Sequence, residues 1–66
     1  MRYSASEFDI YKISLMRTYD LELDDPSLPF DIYDSAMTEL RYRETIEDYE
    51  QCAFIRDFIV WYEEQW

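Results

Sequence analysis

Residues 31–66, DIYDSAMTELRYRETIEDYEQCAFIRDFIVWYEEQW, carry the clearest secondary-structure signal in this chain. Apolar residues recur there at steps of three and four, the spacing of one face of an α-helix. The predicted apolar face consists of Tyr33, Met37, Leu40, Ile46, Tyr49, Ala53, Ile59 and Trp66. This face shifts around Glu47 and Asp48, and one uninterrupted helix would leave too much aromatic surface in water. We therefore predict two antiparallel helices, about residues 31–46 and 48–64.

Both prolines lie in the preceding stretch, DDPSLP, at residues 24–29. Proline lacks a backbone N–H and restricts the residue before it, so two prolines this close together are typical of a link between elements. We divide the chain into an N-terminal segment of residues 1–23, a connector of residues 24–30 and a helical hairpin of residues 31–66. A length of 66 residues places all three parts in one small acidic domain.

The N-terminal segment begins with a capping box, in which Ser4 caps a helix and Glu7 reaches back to it. A helical stripe follows and predicts a helix over about residues 5–18, made of Phe8, Tyr11, Leu15, Tyr19 and Leu23. Alternation within the same segment, as at Ile13 and Leu15, also fits a short two-stranded element. The predicted fold is all-α, with this segment packed on the hairpin; the alternative is α+β.

Composition excludes several classes of protein. Six basic and 16 acidic residues give a formal charge of −10, yet 48% of residues are hydrophobic and 20% aromatic, which argues against disorder. A single cysteine cannot form an internal disulfide, and no segment has the pattern of a signal peptide or membrane span. The negative charge repels nucleic-acid phosphates and anionic lipids, so we expect neither as a direct partner. A cytoplasmic location is expected.

Catalysis and cofactor binding are not expected either. The chain has no histidine to act as a general base near neutral pH and no glycine-rich loop for phosphate. The acids from Asp20 to Asp31 loosely follow the spacing of a calcium loop, but its sixth position is Asp25 rather than glycine. One cysteine does not make a zinc site. We therefore predict no enzymatic activity, no metal and no cofactor.

Residues 48–59, DYEQCAFIRDFI, resemble the second half of the UVR motif, a helical hairpin of bacterial excision-repair proteins. The matching positions are Asp48, Tyr49, Glu50, Ala53, Ile55, Arg56, Asp57 and Ile59, with Cys52 in place of a small alanine. The preceding helix departs from the motif at Arg43 and Glu44, where small residues are expected. The resemblance implies a hairpin that self-associates or pairs with a similar hairpin on another protein.

Acidic and aromatic residues exceed what so small a domain needs for its own core and solubility. We predict that they form a surface for a basic partner, a nucleic-acid-binding protein, with carboxylates placed where phosphates normally bind. The predicted partner-binding residues are Asp20, Glu22, Asp24, Asp25, Asp31, Asp34, Glu44, Glu47, Asp48, Glu50, Trp61, Tyr62 and Trp66.

Overall, this composition is similar to that of small acidic phage-encoded inhibitors of host nucleases, restriction systems or CRISPR effectors. The resemblance implies an inhibitor that acts in the host cytosol. The alternative is an adapter or homodimer built on the UVR-like hairpin, with the acidity incidental.

Overall fold

The computed structural model of this protein describes residues 3–65 and contains three helices: α1 (Ala5–Thr18), α2 (Leu28–Thr45) and α3 (Tyr49–Glu63). α2 and α3 pack closely as a hairpin, and α1 packs against it. No strand occurs between residues 3 and 65. The predicted all-α fold is confirmed, and the alternative two-stranded element does not form there.

The start of α1 follows directly from its sequence. The backbone N–H of Glu7 donates to Ser4 Oγ at 3.3 Å, and the backbone N–H of Ser4 donates to Glu7 Oε2 at 3.0 Å. These two bonds satisfy donors that the first turn of a helix otherwise leaves without partners. The capping box and the bounds predicted for this helix are confirmed.

The start of α2 differs from the prediction. α2 begins at Leu28, three residues earlier than expected, and Pro29 lies in its first turn. A proline is well suited to this position, because the N–H that it lacks would have no partner within the helix. The predicted connector, residues 24–30, was therefore placed too far along the chain, and residues 19–27 link α1 to α2.

Two non-glycine residues adopt the left-handed backbone conformation in the turns that end α1 and α2. Asp20 has φ 54° and Glu47 has φ 60°. After each of them the chain closes the helix: Leu21 N–H donates to the Met16 carbonyl at 2.8 Å, and Asp48 N–H donates to the Arg43 carbonyl at 2.9 Å. Glycine usually fills such positions, but this chain has none, so a Cβ atom is crowded at both turns.

The core lies between the three helices. Its buried members are Phe8, Leu15, Ile32, Ala36, Leu40, Cys52, Ile55, Phe58 and Tyr62. The predicted face of α3 was wrong at Tyr49, which is 67% exposed, and it omitted Cys52 and Ile55, which are fully buried. Ile59, also predicted, does pack against the core. α3 carries apolar residues on most of its sides, so its periodicity did not reveal which side α1 and α2 cover.

Phe8 of α1 fills the centre of an aromatic cluster on α3. Its ring centroid lies 5.3 Å from that of Trp61, 5.5 Å from that of Phe54 and 6.1 Å from that of Phe58. Tyr11 sets its ring edge-on to Phe58 at 4.9 Å. Ring pairs at these distances stabilise a fold beyond the area that they bury. This cluster holds α1 on the hairpin.

The left-handed turn at Glu47 makes a testable prediction. Replacing Glu47 with glycine removes the crowded Cβ atom, and we expect the free energy of unfolding to rise by about 1 kcal/mol in urea titrations followed by circular dichroism. Glu47→Gln is the matched control, since it removes the same charge and keeps the Cβ atom. An equal gain in both variants would assign the effect to charge repulsion and contradict the backbone explanation.

Candidate functional site

The structure separates the predicted acidic residues into two groups. The first, called the linker cluster, lies on the link between α1 and α2 and on the first two turns of α2: Asp20, Glu22, Asp24, Asp25, Asp31 and Asp34. The second, called the tip cluster, surrounds the α2–α3 turn: Glu44, Glu47, Asp48 and Glu50. At 1.5 Å of rise per residue, Asp31 and Glu44 are about 20 Å apart along α2. The predicted site is therefore two separate surfaces.

Two of the four acids in the tip cluster, Glu44 and Asp48, hold its own turn. Asp48 Oδ2 lies 3.3 Å from Arg43 Nη1, and Glu44 Oε2 lies 3.4 Å from Arg56 Nη2. Asp48 also caps α3, because its Oδ1 accepts the backbone N–H of Gln51 at 3.4 Å. These contacts neutralise part of the cluster. Arg43, which departs from the UVR pattern, and Arg56, which matches it, therefore both stabilise the hairpin of this chain.

The linker cluster lacks such compensation. None of its carboxylates forms an ion pair with the basic residues described between positions 3 and 65. All of its members are exposed except Asp31, which is half-buried. Asp25 has a local role as well, since its Oδ1 accepts the Ser27 backbone N–H at 2.8 Å and shapes the turn before α2. The rest of the cluster presents charge to solvent.

Of the predicted aromatic anchors, Trp61 and Tyr62 lie among the described residues. Tyr62 is only 8% exposed and belongs to the core, so its assignment to a binding surface was wrong. Trp61 is half-buried, with its ring 5.3 Å from Phe8 and 5.9 Å from Phe58, which leaves only part of it for a partner. Trp66 lies outside the described residues. Phe8 of α1 thus covers part of Trp61, which was predicted to be free for a partner.

Exposed apolar side chains occur instead beside the linker cluster. Leu23 is 81% exposed in the link, and Phe30 is 64% exposed in the first turn of α2, next to Asp31. Neither residue was predicted to bind a partner, because Leu23 continued the apolar stripe of α1 and Phe30 fell in the predicted connector. Their position among unpaired carboxylates makes the surface around them partly apolar and strongly negative.

The sequence did not predict that Tyr11 and Tyr19 lie close to the Glu39 carboxylate between α1 and α2. Burial, and then the negative charge of Glu39, raise the pKa of Tyr11 far above its usual range. The same two causes, in that order, raise the pKa of Tyr19, whose hydroxyl donates to Glu39 Oε2 at 3.2 Å. The buried Tyr11 hydroxyl forms no hydrogen bond with any residue from 3 to 65. The hydrogen bond between Tyr19 and Glu39 links the end of α1 to α2, whereas burial of the Tyr11 hydroxyl costs desolvation energy.

Nowhere from residue 3 to residue 65 do three histidine, cysteine or carboxylate side chains come together in a way that could hold a metal ion. None of the helices α1, α2 and α3 combines the length and the hydropathy that crossing a bilayer requires.

A groove lies on the outer side of α1. It is open, with a volume of about 760 Å³. Its lining consists of Asp9, Lys12, Ile13, Met16, Arg17, Asp20, Leu21 and Leu23. The alternation that suggested a strand here comes from isoleucines that point away from the core.

Comparison of the chain with protein-family models, curated proteins and solved structures found no match.

The buried Tyr11 hydroxyl makes a second testable prediction. Tyr11→Phe should raise the free energy of unfolding at pH 7 by about 1 kcal/mol, because it removes a buried polar group that lacks a partner among the described residues. It should also change the alkaline pH dependence. The raised pKa means that the folded state holds this proton more tightly than the unfolded state does. The corresponding stability is complete below about pH 10 and is lost as the pH rises above it.

Urea titrations at pH 7 and at pH 11 test both effects. The wild-type protein should lose more stability between these two values than Tyr11→Phe. Tyr49→Phe is the control, since Tyr49 is exposed on α3. A Tyr11→Phe variant that is less stable than the wild type at pH 7 and keeps its alkaline decline would contradict the prediction.

Proposed function

We propose that this protein binds the basic surface of a nucleic-acid-handling protein and inhibits it, using the linker cluster as a substitute for phosphate groups. The carboxylates would occupy positions on the partner where a nucleic-acid backbone normally lies. Leu23 and Phe30 would supply the apolar contacts that fix the complex. The predicted role passes from the C-terminal aromatic residues to this pair, because Tyr62 belongs to the core.

The proposal rests on one observation above all. Six carboxylates of the linker cluster lie close together in the chain, and none has a cationic partner among residues 3–65, although two of the basic residues pair with acids of the tip cluster. Unpaired like charges repel one another and lower stability. A basic partner surface would relieve this repulsion and convert it into affinity and fast association.

Exposed apolar residues strengthen the same proposal. Protein interfaces depend on a few large side chains that lose water on binding, surrounded by polar contacts. Leu23 and Phe30 are the exposed apolar residues flanked by the linker acids. Charge alone would attract many basic proteins, and the apolar pair adds the shape that selects among them.

A second candidate function is a hairpin adapter or homodimer formed through α3, as the UVR resemblance implies. The observation that favours it is the outer face of α3, where Tyr49 and Val60 are exposed and Ala53, between them, is half-buried. These residues lie at helical spacing on one side. Cys52 faces the core instead, so any close approach of a second helix would occur at Ala53.

Neutralising part of the linker cluster tests the leading proposal. The tagged protein is used to capture binding proteins from a bacterial lysate, and duplex DNA or RNA is then added as a competitor. We expect the captured nucleic-acid-binding proteins to be released by the competitor and by rising salt. The variant Glu22→Gln/Asp24→Asn/Asp34→Asn should capture at least tenfold less.

The matched control for this variant is Glu47→Gln/Glu50→Gln/Glu63→Gln. Both variants change the formal charge from −10 to −7, so only the location of the lost charges differs. The control should retain capture close to that of the wild type. Equal loss in both variants would show that net charge alone attracts the partner, and capture that nucleic acid does not displace would reject phosphate mimicry.

Replacing Ala53 tests the second candidate. If two hairpins pair through α3, Ala53→Arg should abolish their association, because the long charged side chain prevents the close approach of the helices. Mass measured by light scattering gives the result, and Arg56→Lys serves as a control that keeps the charge of this helix. An unchanged mass for Ala53→Arg would reject association through α3.

A further inference from the structure

The outer face of α1 exposes apolar side chains to solvent. Ile10 is 68% exposed and Ile13 is 47% exposed, and Met16 lies half-buried beside them. The same face borders the open groove described above. Neighbouring apolar side chains exposed on one helix face are a candidate for a surface that a partner covers.

The charges on this face differ from those on the rest of the molecule. Asp9, Ile13 and Arg17 follow one another at intervals of four residues and therefore lie in one row along α1. Neither Asp9 nor Arg17 forms an ion pair with any residue described from 3 to 65. Lys12 and Asp20 add one further charge of each sign to the groove. In a protein of charge −10, this face is balanced.

We propose that this face is the interface of a homodimer, in which α1 packs antiparallel against α1 of a second copy about a twofold axis at Ile13. In an antiparallel pair, a residue four positions before the axis faces the residue four positions after it. Asp9 of each copy would then face Arg17 of the other. Ile13 meets itself at the axis, and Ile10 lies opposite Met16. The row is complementary to itself, as a twofold interface requires.

The charge balance selects a second copy as the occupant. A groove of one sign would attract a partner of the opposite sign, whereas a row that runs from negative through apolar to positive matches its own reverse. Two copies of this chain repel each other through most of their surfaces, and a balanced face lets them approach. Burying the exposed isoleucines also adds apolar area to a domain whose size limits its own core.

A charge swap tests this arrangement directly. Sedimentation equilibrium of the full chain should show the mass rising from 8.2 kDa to twice that value as concentration increases. Asp9→Arg and Arg17→Glu each place like charges opposite one another at two symmetric sites, so each should weaken dimerisation by about tenfold or more, the equivalent of about 1.4 kcal/mol. The double variant Asp9→Arg/Arg17→Glu restores opposite charges and should return the dissociation constant to within about threefold of the wild-type value.

Two further variants locate the interface. Ile13→Arg puts two positive charges against each other at the axis and should give a monomer at every concentration tested. Val60→Arg, on the exposed face of α3, should leave the dimer intact. All of these positions are solvent-facing in the single chain, so each variant should fold. Circular dichroism checks this.

Three results would overturn the dimer: a wild-type protein that stays monomeric up to millimolar concentration, a double variant as weak as the single ones, or dissociation by Val60→Arg. Asp9, Ile13, Arg17 and Val60 lie outside the linker cluster, so the variants leave its six carboxylates unchanged. Failure of the dimer therefore leaves the proposed inhibition of a basic partner standing, and the reverse also holds.

Discussion

Phe8 is the residue on which the arrangement of the three helices depends. Its fully buried ring lies against Phe54, Phe58 and Trp61, and so joins α1 to the hairpin through aromatic contacts. A chain of 66 residues has room for only one such cluster, and surface scaling leaves a domain of this size little stability to spare. Placing Phe8 among these rings decides which side of α3 becomes core, and thereby which aromatic residues remain for a partner.

The acidic residues of this small domain differ in whether they pair with arginine. Around the α2–α3 turn, arginines at positions 43 and 56 balance the acids and help to hold the hairpin. On the link before α2, no cation described in the structure plays this part, and the carboxylates face water. A small domain that pairs half of one cluster and none of the other among its described residues accepts a local cost in stability. A partner of opposite charge is the physical explanation that we propose for that cost.

The two proposed surfaces make different demands on salt and concentration. Contact between the linker cluster and a basic protein depends on attraction between unlike charges, which salt screens. Contact between two copies of α1 depends on buried isoleucines and on a charge pattern that matches its own reverse. The two surfaces carry different chemistry and adjoin at Asp20 and Leu23, which line the groove beside α1. If both proposals hold, a dimer presents two linker clusters to an extended basic surface.

Local signals in the sequence determined much of the fold. Ser4 and Glu7 place the start of α1, and the apolar spacing after Pro29 predicts a hairpin. These features act over one or two turns, so they can be read without knowledge of the rest of the chain. The face that α3 buries could not be predicted in this way. Its apolar residues surround the helix, and only contact with Phe8 and α2 made Cys52, Ile55, Phe58 and Tyr62 the core. The separation of the acids into paired and unpaired groups likewise arose from tertiary structure, since the packing of α2 on α3 brings Arg56 to Glu44 across twelve positions of sequence.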